Sequence, residues 1–133
     1  PQGASLFDIG SGAGLPGIVI ALARPDLSVT LIEPLERRVS FLTEAVEGLD
    51  IEVIRGRAQD VKKSADFVTA RAVAPLEKLK KMSWHMVKTG GSLLAMKGES
   101  ASSEMEGVKG ATLHEITLEG IELGRIVAIK KGA

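Results

Sequence analysis

Leu6-Phe7-Asp8-Ile9-Gly10-Ser11-Gly12-Ala13-Gly14-Leu15-Pro16-Gly17 is the stretch that decides the fold of this chain. Ser5–Ile9 reads as a short apolar strand, and the glycines behind it mark a tight turn rather than more strand. Pro16 suits the first position of a helix, where its missing N–H is harmless, so Pro16–Arg24 reads as helical. Strand, glycine turn and helix in direct succession open a βαβ unit.

Outward from this start the same alternation continues. Ser28–Ile32 is expected to be a strand and Leu35–Leu49 an amphipathic helix, with Val39, Leu42, Val46 and Leu49 on its buried stripe. Ile51–Arg55 follows as a third strand after the helix-stopping Gly48, and Phe67–Ala70 as a fourth. Pro75–Val87 reads as a helix burying Leu76, Leu79, Met82, Met86 and Val87. Gly90-Gly91 should stop it before a fifth strand over Ser92–Met96. Residues 98–110 read as a loop with room for one short helix, and Thr112–Leu118 with Arg125–Lys130 as a final strand pair around a Gly120–Gly124 turn region. Strands alternating with helices predict an α/β fold: a Rossmann-like three-layer α/β/α sandwich, mostly parallel, whose last strand runs antiparallel.

The totals set the frame. A chain of 133 residues is one domain, spanning residues 1–133. No apolar run approaches the roughly 20 residues of a membrane helix, and Pro1–Ser5 has no signal-peptide character. The absence of cysteine excludes disulfides, zinc knuckles and thiolate nucleophiles and fits a reducing cytoplasm. Net charge is zero, yet residues 1–54 carry −5, residues 55–97 carry +7 and residues 98–133 carry −2. The basic middle offers a positive surface to an anionic partner; its plainer reading is a set of solvated lysines.

The glycine turn admits two ligands. Gly12-Ala13-Gly14-Leu15-Pro16-Gly17 satisfies the dinucleotide pattern, with Glu33 placed to bind a ribose diol, which would make the chain a nicotinamide-dinucleotide-binding module. Asp8-Ile9-Gly10-Ser11-Gly12-Ala13-Gly14 equally satisfies the first motif of class I S-adenosylmethionine-dependent methyltransferases. In both, Gly10, Gly12 and Gly14 let the backbone pass close to the ligand. Asp8 favours the methyl donor, because a carboxylate there suits a sulfonium and an amino group and opposes a pyrophosphate. The acidic first third points the same way.

Absences narrow the acceptor. Without cysteine, methylation of pyrimidine C5 through a thiol adduct is excluded for this domain. The fourth strand runs into Thr69-Ala70-Arg71-Ala72 instead of an Asn/Asp-Pro-Pro-aromatic loop for exocyclic amines. A ring nitrogen with a free lone pair needs neither device, since in-line methyl transfer to it depends mainly on positioning. A small-molecule or protein acceptor remains the alternative. His85 and His114 lack the spacing of metal ligands, and no metal is expected. Trp84 could stack a base, although at helical spacing it more commonly packs.

The segments from Asp8 to Gly17, Glu33 with Arg37-Arg38-Val39-Ser40-Phe41-Leu42, Arg57-Ala58-Gln59-Asp60, Thr69-Ala70-Arg71-Ala72-Val73-Ala74, Met96-Lys97-Gly98 and Gly124–Lys130 carry a more specific likeness. Together the chain resembles the bacterial methyltransferases that modify a guanine N7 in small-subunit (16S) ribosomal RNA, the glucose-inhibited division protein B family. The resemblance implies S-adenosyl-L-methionine as donor and S-adenosyl-L-homocysteine as product. It implies ribosomal RNA or the small ribosomal subunit as partner, and a cytoplasmic monomer without membrane attachment. Carried over by position, Gly10 and Leu15 line the donor's methionine end, Glu33 takes the ribose hydroxyls, and Ala58 and Gln59 lie along the adenine. Arg71 faces the place where donor and acceptor meet and is the candidate for aligning the acceptor. Arg37, Arg38 and Lys97 are candidates for RNA contacts, with surface ion pairs to Glu36 or Glu99 as the plainer reading. Three departures stand out: Gln59 replaces the family's usual acid, Arg37-Arg38 replaces a common Lys-Arg, and an N-terminal helical segment is expected to be missing. A fragment without that segment is expected to bind donor weakly.

Overall fold

The computed structural model of the chain describes residues 3–10, 17–71, 76–97, 111–118 and 121–132. Seven strands form one sheet: β1 (Ser5–Ile9), β2 (Ser28–Glu33), β3 (Ile51–Arg55), β4 (Ala65–Arg71), β5 (Val87–Lys97), β6 (Ala111–Leu118) and β7 (Ile121–Lys130). Their order is β3-β2-β1-β4-β5-β7-β6. Strands β1 to β5 are mutually parallel, and β7 pairs antiparallel with both β5 and β6. The expected Rossmann-like sandwich with an antiparallel last strand is the fold observed.

Alternation along β1 sorts the layers, because successive strand side chains point to opposite faces. Leu6 joins Val29, Leu31, Leu42 and Val46 in a core under α1 (Gly17–Ala23) and α2 (Glu36–Ala45). Phe7 and Ile9 join Ile32, Val68, Leu93 and Leu79 in the other core, under α3 (Leu76–Ser83). The central strands are apolar on both sides, as a parallel sheet covered on both faces requires.

Several boundaries differ from the sequence expectation, each for a local reason. Helix α2 ends at Ala45, and the chain turns through Gly48 at φ +83°, leaving Leu49 41% exposed instead of on the stripe. Helix α3 ends at Ser83, whose hydroxyl donates to the Leu79 carbonyl (2.6 Å); Trp84–Met86 tighten into a 3₁₀ turn. Val87 therefore opens β5 rather than closing a helix. Gly90-Gly91 lies within β5, not before it. The β4–β5 register jumps from Ala65↔Val87 to Phe67↔Ser92, and Gly90 takes φ +87° in the extra residues. At Gly91 a Cβ would collide with the Asp66 carbonyl, so only glycine permits this approach. Strand β7 begins at Ile121, which puts Gly124 inside a strand and not in a turn. The loop expected at 98–110 lies outside the described residues.

The start of β1 is tied to the start of β4. Asp66 Oδ2 accepts from the Ser5 N–H (2.9 Å) and the Ser5 hydroxyl (3.0 Å), and the Asp66 N–H donates back to Ser5 Oγ (2.9 Å). The two bonds from Ser5, helped by the charge of Lys88, hold the Asp66 carboxyl below the ordinary aspartate range. A depressed carboxyl pKa contributes stability above the unfolded value of about 3.9, and that contribution is lost as pH falls through the folded value. Asp66→Asn should therefore be less stable than wild type near about pH 6, with the difference shrinking below about pH 4. Urea midpoints measured across this range check it, and a gap that stays constant down to about pH 3 would contradict it.

Candidate functional site

Because β1 connects to β2 on one side and pairs with β4 on the other, the carboxyl end of β1 is where the connections diverge. Crevices in doubly wound sheets form at such a point. Gly10 leaves β1 at φ +63°, a left-handed turn that favours glycine, and its N–H donates to the Ile32 carbonyl at 2.8 Å. A cleft of about 520 Å³ opens beside it. Ile9 and Gly10 form one wall, Ile32 and Glu33 the end of β2, and Gly56 to Gln59 the loop after β3. Leu35, Arg38 and Met82 complete it.

Glu33 is the polar anchor. It is the last residue of β2, paired in register with Arg55, and its side chain is 2% exposed. Oε2 accepts the Leu35 N–H at 3.1 Å, while Arg38 Nη1 stands 3.7 Å from Oε1 with its own side chain half exposed. The Gly56 N–H donates to the Glu33 carbonyl (3.1 Å), which fixes the opposite loop to the same strand end. Apolar walls around one buried carboxylate suit a nucleoside: a flat ring between Ile9, Ile32, Ala58 and Met82, and a vicinal diol on the acid.

Asp8 sits behind the cleft and is not among its lining residues. It is fully buried. Its Oδ1 accepts the Thr69 hydroxyl (2.8 Å) and its Oδ2 the Gly17 N–H (3.1 Å), so the carboxylate is met by donors of the protein itself.

Of the residues singled out in the sequence, Gly10, Glu33, Ala58 and Gln59 are brought together around the cleft, with Arg38 at its edge. Ala58 is buried and Gln59 exposed, within a 3₁₀ turn over Ala58–Asp60. Arg37 is exposed on α2. Arg71 and Lys97 close β4 and β5 and are placed by their backbones alone. Gly12, Gly14 and Leu15 lie outside the described residues. Sequence reasoning missed Met82, which the helical stripe assigned wholly to the core, and Thr69, a polar residue in an otherwise apolar strand centre. The signal for Thr69 was its register with Asp8, which needs the strand pairing to be seen. Trp84 packs against the α3-side core, with Lys80 and Lys131 ammonium groups 4.7 and 5.4 Å from its ring centre. Among the described residues no group of three acidic or histidine side chains could hold a metal, and no helix is long and apolar enough to cross a membrane.

Comparison with known proteins gives the fold and the family separately. Two methyltransferases share the fold at 17% identity. One, from Pyrococcus furiosus, has a TM-score of 0.78, with 99% of this chain and 77% of that chain covered. The other is the B. subtilis tRNA methyltransferase TrmK, at 0.75, with 99% and 62% covered. Closer in sequence are proteins named ribosomal RNA small subunit methyltransferase G. That of Thermobifida fusca is 50% identical over 99% of this chain and 56% of its own length, and that of Rhodococcus jostii 56% identical over 78% and 49%. The chain thus spans about half the length of the curated relatives it matches. The family model for rRNA small subunit methyltransferase G, GidB, matches residues 1–131, which removes the dinucleotide reading of the glycine turn. The chain belongs to the rRNA small subunit methyltransferase G (GidB) family.

Proposed function

We propose that this chain is the donor-binding part of an S-adenosylmethionine-dependent enzyme that methylates N7 of a guanine in small-subunit ribosomal RNA. The observation that carries this reading is the family match over residues 1–131, seated on a cleft whose buried acid is Glu33. The residues present fit S-adenosylmethionine. Glu33 would receive the ribose hydroxyls, and Ile9, Ile32, Ala58 and Met82 would flank the adenine. Gln59 would offer an amide at its edge, and Gly10 would let the methionine portion pass. The bound donor supplies an electrophilic methyl group on a sulfonium.

The protein's own work is then positioning and charge. Apolar walls keep water from the adenosine, and Glu33 fixes the orientation of the ribose through hydrogen bonds to a charged acceptor. An acceptor ring nitrogen arrives with a lone pair, so no general base is required. Arg71, the last residue of β4, the strand beside β1, would align the acceptor base. Arg37 and Arg38 on α2, with Lys97 at the end of β5, suit phosphate contacts that set register without reading sequence. The small ribosomal subunit or its RNA is the partner of this reading, and the cytoplasm its setting.

Full-length protein incubated with tritiated donor and undermodified small ribosomal subunits should label a single guanine at N7. Labelling of metabolites or proteins instead would contradict the reading. Arg71→Ala should lower turnover more than donor affinity, and a change confined to donor affinity would make Arg71 a donor ligand. Glu33→Gln should weaken S-adenosylhomocysteine binding by about 10- to 100-fold, the scale of lost hydrogen bonds to a charged acceptor. Calorimetry checks this, and wild-type affinity in the variant would remove Glu33 from the site.

A further inference from the structure

The geometry points to Arg38 as a positioning residue for the donor: from the first turn of α2 its guanidinium holds the Glu33 carboxylate in place for the ribose hydroxyls. The inference rests on reading the cleft as the donor site, and it gives Arg38 a task besides the phosphate contact that its exposed half allows.

Leu35 and Arg38 both line the cleft, whereas their neighbour Arg37 is exposed and does not. Residues three apart share a face of a helix, so the two are turned together toward the end of β2. They reach different oxygens of Glu33. The Leu35 N–H donates to Oε2 at 3.1 Å, and Arg38 Nη1 stands 3.7 Å from Oε1. At that distance the guanidinium attracts the oxygen by charge without a hydrogen bond, so Arg38 itself takes none of its lone pairs. A carboxylate has about four acceptor positions, enough for a backbone amide and a vicinal diol.

The pair differs from the surface ion pairs of the same protein. Lys81 and Glu77 are both more than three-quarters exposed, and such pairs contribute little. Glu33 is buried inside the cleft, and Arg38 reaches it from the rim. Its place in the helix is also telling. A cation in the first turn opposes the helix dipole, and the adjoining carboxylate offsets that cost. The terminal torsion of a glutamate is broad, so rotamer preference alone does not orient the carboxylate plane. Orientation comes from the groups around it, and at Oε1 Arg38 supplies a fixed positive charge. Without that charge a diol meets a less ordered acceptor and binds more weakly.

The test uses full-length protein and titrates S-adenosylhomocysteine by calorimetry. Arg38→Met keeps the apolar stem of the side chain and removes the charge. It should raise Kd about fivefold, the upper end for a charge pair with one exposed partner. Arg38→Lys keeps a cation and should bind within about twofold of wild type. In a Glu33→Gln background, Arg38→Met should change Kd by less than about twofold, because the charge on which it acts is gone. Wild-type affinity in Arg38→Met would overturn the proposal, as would a lysine variant as weak as the methionine one. An equal loss with and without the Glu33 charge would also overturn it, making Arg38 a direct ligand of the donor. Wild-type affinity in Glu33→Gln alone, or a wild-type protein that binds no S-adenosylhomocysteine, would instead overturn the donor-site reading, and the proposal with it.

Discussion

A carboxylate without solvent contact stands near the carboxyl end of the strand where the connections diverge, and the candidate site depends on how that charge is satisfied. Asp8 lies one residue before the last of β1, between β2 and β4. An unpaired charge there would weaken the fold by several kcal/mol. Among the described residues, the Thr69 hydroxyl of β4 and the Gly17 amide at the start of α1 donate to it. Glycine at position 17 follows from the same contact, because any side chain would displace either the carboxylate or Leu31. A single buried acid thus constrains a neighbouring strand, a helix start and a residue identity.

With β1 fixed in this way, the cleft follows from topology. Gly10 turns left-handed toward β2, and Glu33 ends β2 with its carboxylate facing inward. The loop after β3 is pulled in by the bond from Gly56 to the Glu33 carbonyl. The two acids have different surroundings, although both stand near the ends of neighbouring strands and both are buried. Asp8 accepts from the Thr69 hydroxyl and the Gly17 N–H, whereas Glu33 lines the cleft with Arg38 near its Oε1. Of the acids in residues 1–54, Glu33 is the one that lines the cleft, beside Arg38 and Arg57.

The strands of the parallel part were legible because their signal is local. Ser5–Ile9 and Ile51–Arg55 are observed with the boundaries that apolar runs and flanking turn residues gave them. Legibility failed where tertiary contact decides. Gly90-Gly91 looks like a helix stop by composition, yet close approach to Asp66 turns it into the irregular centre of β5. Gly124 looks like a turn residue and pairs with Ile116 inside a ladder. In the site, Glu33 and Gly10 could be placed from spacing alone. The partners of Asp8 could not, since Thr69 and Gly17 reach its carboxylate only once the strands and the helix start are assembled. Thr69 stands in a segment that carries the family likeness, but the likeness assigns it no role. Its importance lies in being level with Asp8 across a strand pair that no sequence spacing records.

A structure of the full-length protein bound to S-adenosylhomocysteine tests this account most directly. The account predicts adenosine in the cleft, with both ribose hydroxyls within hydrogen-bonding distance of Glu33, and Asp8 still held by Thr69 and Gly17. An Asp8 carboxylate turned away from Thr69 onto the ligand's amino group would contradict it, as would a nucleoside bound away from Glu33.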